Sequence, residues 1–301
     1  MRASQCRDAA TSMHAPELPS LTGVEHREVQ AGDVRLHVAE AGNGPPLLLL
    51  HGWPQHWWCW RHVLPGVAAD YRVLAVDLRG WGWSQAPPGD YAKSTFAADI
   101  LALIDAEGLE RVKILAHDWG AYTAFLLALE HPERIDRMVT LDIAPPWRER
   151  PPKFGTGLAS LLAYQTLLAL PLIGARTMTS GNRFIRTIIR MGSGERVHWS
   201  DDELDMYATV LRDPARARAS SACYRTFLTR ELPAAARHPR NPADLKVPTL
   251  LIMGSQSVLW RTTAPQPAPS LEVRIIEGAG HFLAEEAPDQ VLTLALPFLG
   301  G

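Results

Sequence analysis

An aspartate occupies the middle of Ala116-His117-Asp118-Trp119-Gly120, where a serine would signal ordinary acyl transfer. A short apolar run (Val112 to Ala116) precedes it and a helical stretch (Ala121 to Glu130) follows. Strand, sharp turn and helix around a central nucleophile form a nucleophile elbow, with small residues at either end because the turn is tight. A carboxylate there implies displacement at carbon and an ester-linked intermediate. The plainer alternative is an Asp that caps the next helix. His281, in Gly278-Ala279-Gly280-His281-Phe282, follows the last apolar strand. A neutral imidazole on such a loop suits the activation of water near pH 7, although a lone loop histidine is often ordinary surface. Its place after the elbow in the chain favours the catalytic reading. His51-Gly52-Trp53-Pro54 follows another apolar strand. In this arrangement the backbone N–H groups of Trp53 and Trp119 would form an oxyanion hole, with Pro54 fixing the loop through a cis bond. A simple strand-ending turn is the alternative.

These residues need a frame. Glu25 to Gln30 and Val34 to Ala39 alternate around Gly32-Asp33 as a hairpin. Strands are expected at Leu47 to Leu50, Val73 to Val76, Val112 to Ala116, Met138 to Leu141, Thr249 to Met253 and Val273 to Ile276. Helices are expected at Trp57 to Ala69, Thr95 to Glu107, Ala121 to Glu130 and Asp289 to Leu299. All-apolar strands alternating with helices describe an α/β fold, a mostly parallel sheet with helices on both faces. The alternation stops after Ala144-Pro145-Pro146 and resumes beyond Pro239-Pro242, with Pro151-Pro152 near the first edge. Residues 146–239 therefore read as an inserted helical cap on a core of residues 23–145 and 240–301, behind a loose tail, 1–22.

The chain has 301 residues and a formal net charge of -2, with both signs dispersed. That balance argues against nucleic acid or a membrane surface as partner. Apart from Lys93, Lys113, Lys153 and Lys246 the basic residues are arginine. Cys6, Cys59 and Cys223 are widely spaced and outside any metal-ligand pattern, so neither a disulfide framework nor a metal is expected, and a cytoplasmic setting fits. The first twenty residues lack the apolar stretch of a signal peptide, and Met13 is a second candidate start. No run is long enough to span a bilayer. No phosphate-cradling loop is visible either, so no cofactor is expected.

The motifs His51-Gly52-Trp53-Pro54-Gln55, Trp57-Trp58-Cys59-Trp60, Asp77-Leu78-Arg79-Gly80-Trp81-Gly82-Trp83-Ser84, His117-Asp118-Trp119-Gly120, Tyr224-Arg225 and Gly280-His281-Phe282 occur in order. Together the chain resembles an epoxide hydrolase of the α/β-hydrolase superfamily, over nearly everything after Gly23. Haloalkane and haloacetate dehalogenases share these motifs. The resemblance implies that Asp118 attacks an epoxide carbon and that a cap tyrosine protonates the departing oxygen. Tyr224 matches best and Tyr164 second; some relatives place the first tyrosine where this chain has Leu167. Tyr207 is expected to pack on a cap helix. His281 would then activate the water that hydrolyses the ester. Trp53, Pro54, Trp119, Tyr164 and Tyr224 would line a pocket for a small apolar substrate.

One position departs from the pattern. Relatives usually carry the acid that orients the histidine three residues beyond the glycine ending the strand, where this chain has Ser257 in Gly254-Ser255-Gln256-Ser257. Asp142, at the end of the strand leading into the cap, is the substitute that some haloalkane dehalogenases use. The competing expectation is that ester hydrolysis is crippled, leaving a binder or a slow natural-product enzyme. Haloalkane cleavage is the nearest rival reaction. Haloacetate cleavage is disfavoured because Trp119 stands where those enzymes place an arginine. Ester hydrolysis is disfavoured because carboxylate attack would give a reactive anhydride.

Overall fold

The apolar strands become the middle of one sheet. A computed structural model describes residues 17–147, 155–263, 265 and 268–301. It contains β1 (Glu25–Ala31), β2 (Val34–Ala41), β3 (Pro46–Leu50), β4 (Arg72–Val76), β5 (Val112–His117), β6 (Ile135–Leu141), β7 (Thr249–Gly254) and β8 (Leu271–Ile276). Their order across the sheet is β1-β2-β4-β3-β5-β6-β7-β8. The hairpin β1–β2 and the β2–β4 pair are antiparallel, and the other pairs are parallel. Leu47, Leu48, Leu49 and Leu50 of β3 are fully buried. A strand covered on both faces needs such an unbroken apolar run.

On the faces lie α1 (Leu64–Val67), α2 (Lys93–Ala106) and α3 (Asp118–Glu130). The stretch expected as one helix from Trp57 to Ala69 is instead a 3-10 turn, Trp57–Trp60, and the single turn α1. Pro65 and Gly66 account for this, since proline fits only a helix's first turn and glycine costs backbone entropy. Between β6 and β7 come α4 (Thr156–Ala169), α5 (Ile173–Thr179), α6 (Arg183–Gly192), α7 (Asp201–Val210), α8 (Pro214–Thr226) and α9 (Leu232–Arg237), with no strand among the described residues. The chain closes through α10 (Val258–Thr263), α11 (Leu283–Glu286) and α12 (Pro288–Gly300). Leu18 and Leu21, expected in a loose tail, are partly buried against the core because their side chains are apolar. Residues 1–16 of that tail, with Cys6 and Met13 among them, and Pro151-Pro152 lie outside the described residues. No single described helix is long and apolar enough to cross a membrane, although α4 and α5 would pass together were they not bent by 97°.

Two glycines let α3 start hard against β3. A Cβ on Gly120 would lie 2.4 Å from the Leu50 carbonyl oxygen, and one on Gly52 would lie 2.3 Å from Cβ of Asp118. Backbone cannot yield as a flexible side-chain end can. Gly120→Ala is therefore expected to destabilise the fold by about 3 kcal/mol, the upper end for overpacking, measured by denaturant unfolding.

Candidate active site

The chain turns from β5 into α3 at Asp118, whose φ of 48° is left-handed. Among the described residues only Asp142 (φ 41°) and Leu172 (φ 65°) share this conformation without being glycine. A non-glycine residue there stores roughly 1–3 kcal/mol, and such strain gathers at functional sites. Two of these three residues are carboxylates, and both face His281. Asp118 Oδ2 accepts a hydrogen bond from Trp53 N–H at 2.9 Å, and the Trp119 N–H also stabilises the carboxylate. Burial pushes the Asp118 carboxyl up; His281 and the two N–H groups oppose that rise. The Trp53–Pro54 peptide is cis, and Pro54 is buried beside it.

His281 Nε2 lies 4.0 Å from Asp118 Oδ1, and its Nδ1 lies 2.6 Å from Asp142 Oδ2. Asp142 is fully buried at the end of β6. The Ser257 hydroxyl donates to the same Asp142 oxygen at 2.6 Å, and Gly254 N–H donates to Oδ1 at 3.3 Å. Ser257 Oγ in turn accepts from Leu259 N–H, anchoring α10. The residue at the vacant acid position thus binds the carboxylate that partners the histidine. Burial alone would lower the His281 pKa, but the Asp142 hydrogen bond and charge, with the Asp118 charge, raise it.

Aromatic rings from the loop after β3, the start of α3, α4 and α8 gather around Asp118. Trp53 stacks on Tyr164 at 6.0 Å and meets Tyr224 edge-on at 5.1 Å. Trp119 meets Tyr224 at 5.9 Å and Phe227 at 4.8 Å. Tyr164 on α4 and Tyr224 on α8 interact through their hydroxyls, so both predicted tyrosines converge. Burial and the Asp118 charge push both phenols well above their ordinary range. Helix α8 is held down by small residues: Ala219 abuts Gly80, and Ser220 Oγ accepts from the Trp81 indole at 3.0 Å. It ends in a π-helical turn, Phe227–Glu231, a feature common at functional sites. Trp53, Trp119 and Tyr224 are each at most 5% exposed, so the site is closed. Two surface clefts of about 340 and 350 Å³, beside Arg79 and along α6, do not include Asp118.

Tyr207 does more than pack on the cap. Its hydroxyl bonds the buried Glu285, which also pairs with Arg61 at 2.6 Å. Burial pushes Glu285 up to about 7, against the pull of Arg61 and Tyr207. Sequence reasoning missed this network, and it missed Lys93. The Lys93 ammonium is fully buried, 2.6 Å from Glu231, and sits 4.4 Å above the Trp119 ring. No spacing signal could have found either group, since their charged partners, Arg61 for Glu285 and Glu231 for Lys93, lie more than a hundred residues away.

Comparisons with known proteins fit this geometry. A family model described as the alpha/beta hydrolase fold matches residues 45–288. The soluble epoxide hydrolase of Corynebacterium sp. (strain C12) is 30% identical over 284 residues, covering 92% of this chain and 98% of that protein. A fluoroacetate dehalogenase of Burkholderia sp. is 30% identical over 299 residues, covering 92% of this chain and 94% of that protein. The solved structure of the epoxide hydrolase CorEH without ligand superposes with a TM-score of 0.81 at 28% identity, covering 92% of this chain and 99% of that one.

Proposed function

Because the chain belongs to the alpha/beta hydrolase fold family, we propose that it opens epoxides of small apolar molecules to vicinal diols through an ester on Asp118. The observation that carries this reading is a buried carboxylate, strained at a strand–helix turn, facing His281 across 4.0 Å beneath two tyrosines. An Asp118 oxygen attacks an epoxide carbon, and the ring C–O bond breaks toward oxygen. Tyr224, coupled to Tyr164, gives that oxygen its proton. A phenolate beside Asp118 is costly while the carboxylate is charged. Esterification removes that charge as the proton is needed. His281 then takes a proton from water, and the hydroxide adds to the Asp118 carboxyl carbon. The Trp53 and Trp119 N–H groups hold the oxyanion. Collapse passes the added hydroxyl's proton to the departing alkoxide, releasing the diol and restoring the carboxylate. The proton held by His281 returns to the Tyr224 phenolate.

One turnover in water enriched in heavy oxygen tests the ester route. The first diol is expected to carry unlabelled oxygen from Asp118, with the label entering the Asp118 carboxylate. Label in the diol from the first turnover would mean direct water attack. Tyr224→Phe is expected to slow ring opening by about 10²–10³-fold, in the range for a lost general acid, while leaving the hydrolysis of a preformed ester nearly unchanged. Rapid-quench measurement of the adduct separates the two steps.

A second reading, haloalkane cleavage, is favoured by one feature. The buried Trp53 indole N–H has no hydrogen-bond partner among the described residues, and the Trp119 indole N–H has only the Tyr224 hydroxyl nearby. Two such donors suit a departing halide, which needs no proton. A carboxylate-bearing substrate fits less well, because Lys93 is paired with Glu231 and covered by the Trp119 ring. Incubation with an aryl epoxide and a bromoalkane decides: diol supports the first reading, bromide the second.

A further inference from the structure

His281 is held by a carboxylate that neither the motifs nor the reaction uses. Glu286, at the end of α11, is buried. Its Oε2 accepts from Gly280 N–H at 2.7 Å and from Gly194 N–H at 2.8 Å. Its Oε1 accepts from Phe282 N–H at 2.9 Å. Gly280 and Phe282 are the residues on either side of His281, and Gly194 belongs to the cap segment after α6. The remaining amide, His281 N–H itself, donates to the cap carbonyl of Gly192 at 2.7 Å. The two segments touch backbone to backbone: a Cβ on Gly280 would lie 2.3 Å from Gly194 N, and one on Gly194 would lie 2.5 Å from Gly280 N.

An ionised carboxylate accepting three N–H bonds is a strong, directional anchor. The Glu286 side chain hydrogen-bonds to backbone N–H groups and not to Asp118 or the imidazole ring, although its charge helps to raise the His281 pKa. It fixes the backbone on both sides of the base and ties that backbone to the cap. Resting on the ester mechanism above, we infer that Glu286 is a positioning residue for His281, setting the imidazole for the hydrolytic step and locking the histidine loop to the cap. Ring opening depends on Asp118 and the tyrosines, and is independent of the imidazole's exact angle. Water activation is not independent of it, because a displacement of about 1 Å in a catalytic group can cost 10²-fold.

The test is Glu286→Gln, which keeps the shape but turns one accepting oxygen into an N–H2 facing N–H donors. Rapid-quench kinetics with an aryl epoxide would follow formation and decay of the Asp118 adduct, with intact mass as readout. Decay is expected to slow about 100-fold while formation stays within threefold, so the adduct accumulates and kcat falls more than kcat/KM. Glu286→Asp, which keeps the charge, should recover part of the decay rate. If Glu286→Gln does not fold, Glu286→Asp alone must show the same split in smaller measure. Equal slowing of both steps, or no slowing of decay, overturns the inference. A parent enzyme that forms no Asp118 adduct overturns the ester mechanism instead, so the two failures are told apart.

Discussion

Asp118→Ala is expected to abolish turnover of epoxides, a fall of about 10⁴-fold or more by analogy with the loss of other catalytic nucleophiles. The reason is that the remaining groups cannot replace an oxygen nucleophile held at this bend to attack carbon. The Trp53 and Trp119 N–H groups would face empty space where the carboxylate was, and His281 would have no ester to hydrolyse. Folding should survive. Removing the carboxylate relieves the cost of its burial, while alanine tolerates φ 48° less well than aspartate, so the two effects oppose. Thermal unfolding is therefore expected to shift by a few degrees, and circular dichroism to remain that of the parent. A variant with intact turnover would remove the mechanism. One that lost activity together with its fold would instead reveal Asp118 as a structural cap.

Much of this was legible because short-range chemistry wrote it. The all-apolar run Leu47 to Leu50 could only be an enclosed strand, and β3 is at the centre of the sheet. Ala116 to Gly120 carried the elbow, because a tight turn demands small flanking residues, and Gly120 meets Leu50 at the distance such a turn requires. Tyr224, expected from the resemblance, lies edge-on to Trp53 and Trp119. What the sequence could not carry was partnership over long separations. Asp142 and Ser257 are 115 residues apart, and only the fold joins their side chains at 2.6 Å. Glu285 and Glu286 carry no motif in the sequence, yet both are buried because Tyr207, Arg61 and three backbone amides satisfy them. The stretch from Trp57 failed as one helix because apolar spacing alone does not weigh Pro65 and Gly66.

Asp142→Asn should stall the enzyme halfway. Asparagine keeps the size but can present its amide N–H2 to His281 Nδ1, favouring the wrong tautomer, and it no longer stabilises the imidazolium that forms as water is deprotonated. Loss of the corresponding acid in a serine protease costs about 10⁴-fold, and a similar fall in ester hydrolysis is expected here. Ring opening, which needs no base, should proceed, so intact mass should show Asp118 carrying the substrate. The pH profile fixes the sign. Asp142 raises the His281 pKa, so its loss lowers that pKa. The base is then neutral to lower pH, and the acid limb of the residual hydrolysis moves downward while its plateau collapses. Ser257→Asp in the parent places a second carboxylate beside Asp142, in place of a hydroxyl that now lies 2.6 Å from it, where like charges repel. It is expected to slow hydrolysis. In the Asp142→Asn background the same change restores one carboxylate at the usual acid position, and part of the lost rate should return. Rescue in the double variant, with inhibition in the single one, is the pattern that an acid acting through His281 requires; Asp142→Asn turning over at the parent's rate would exclude it.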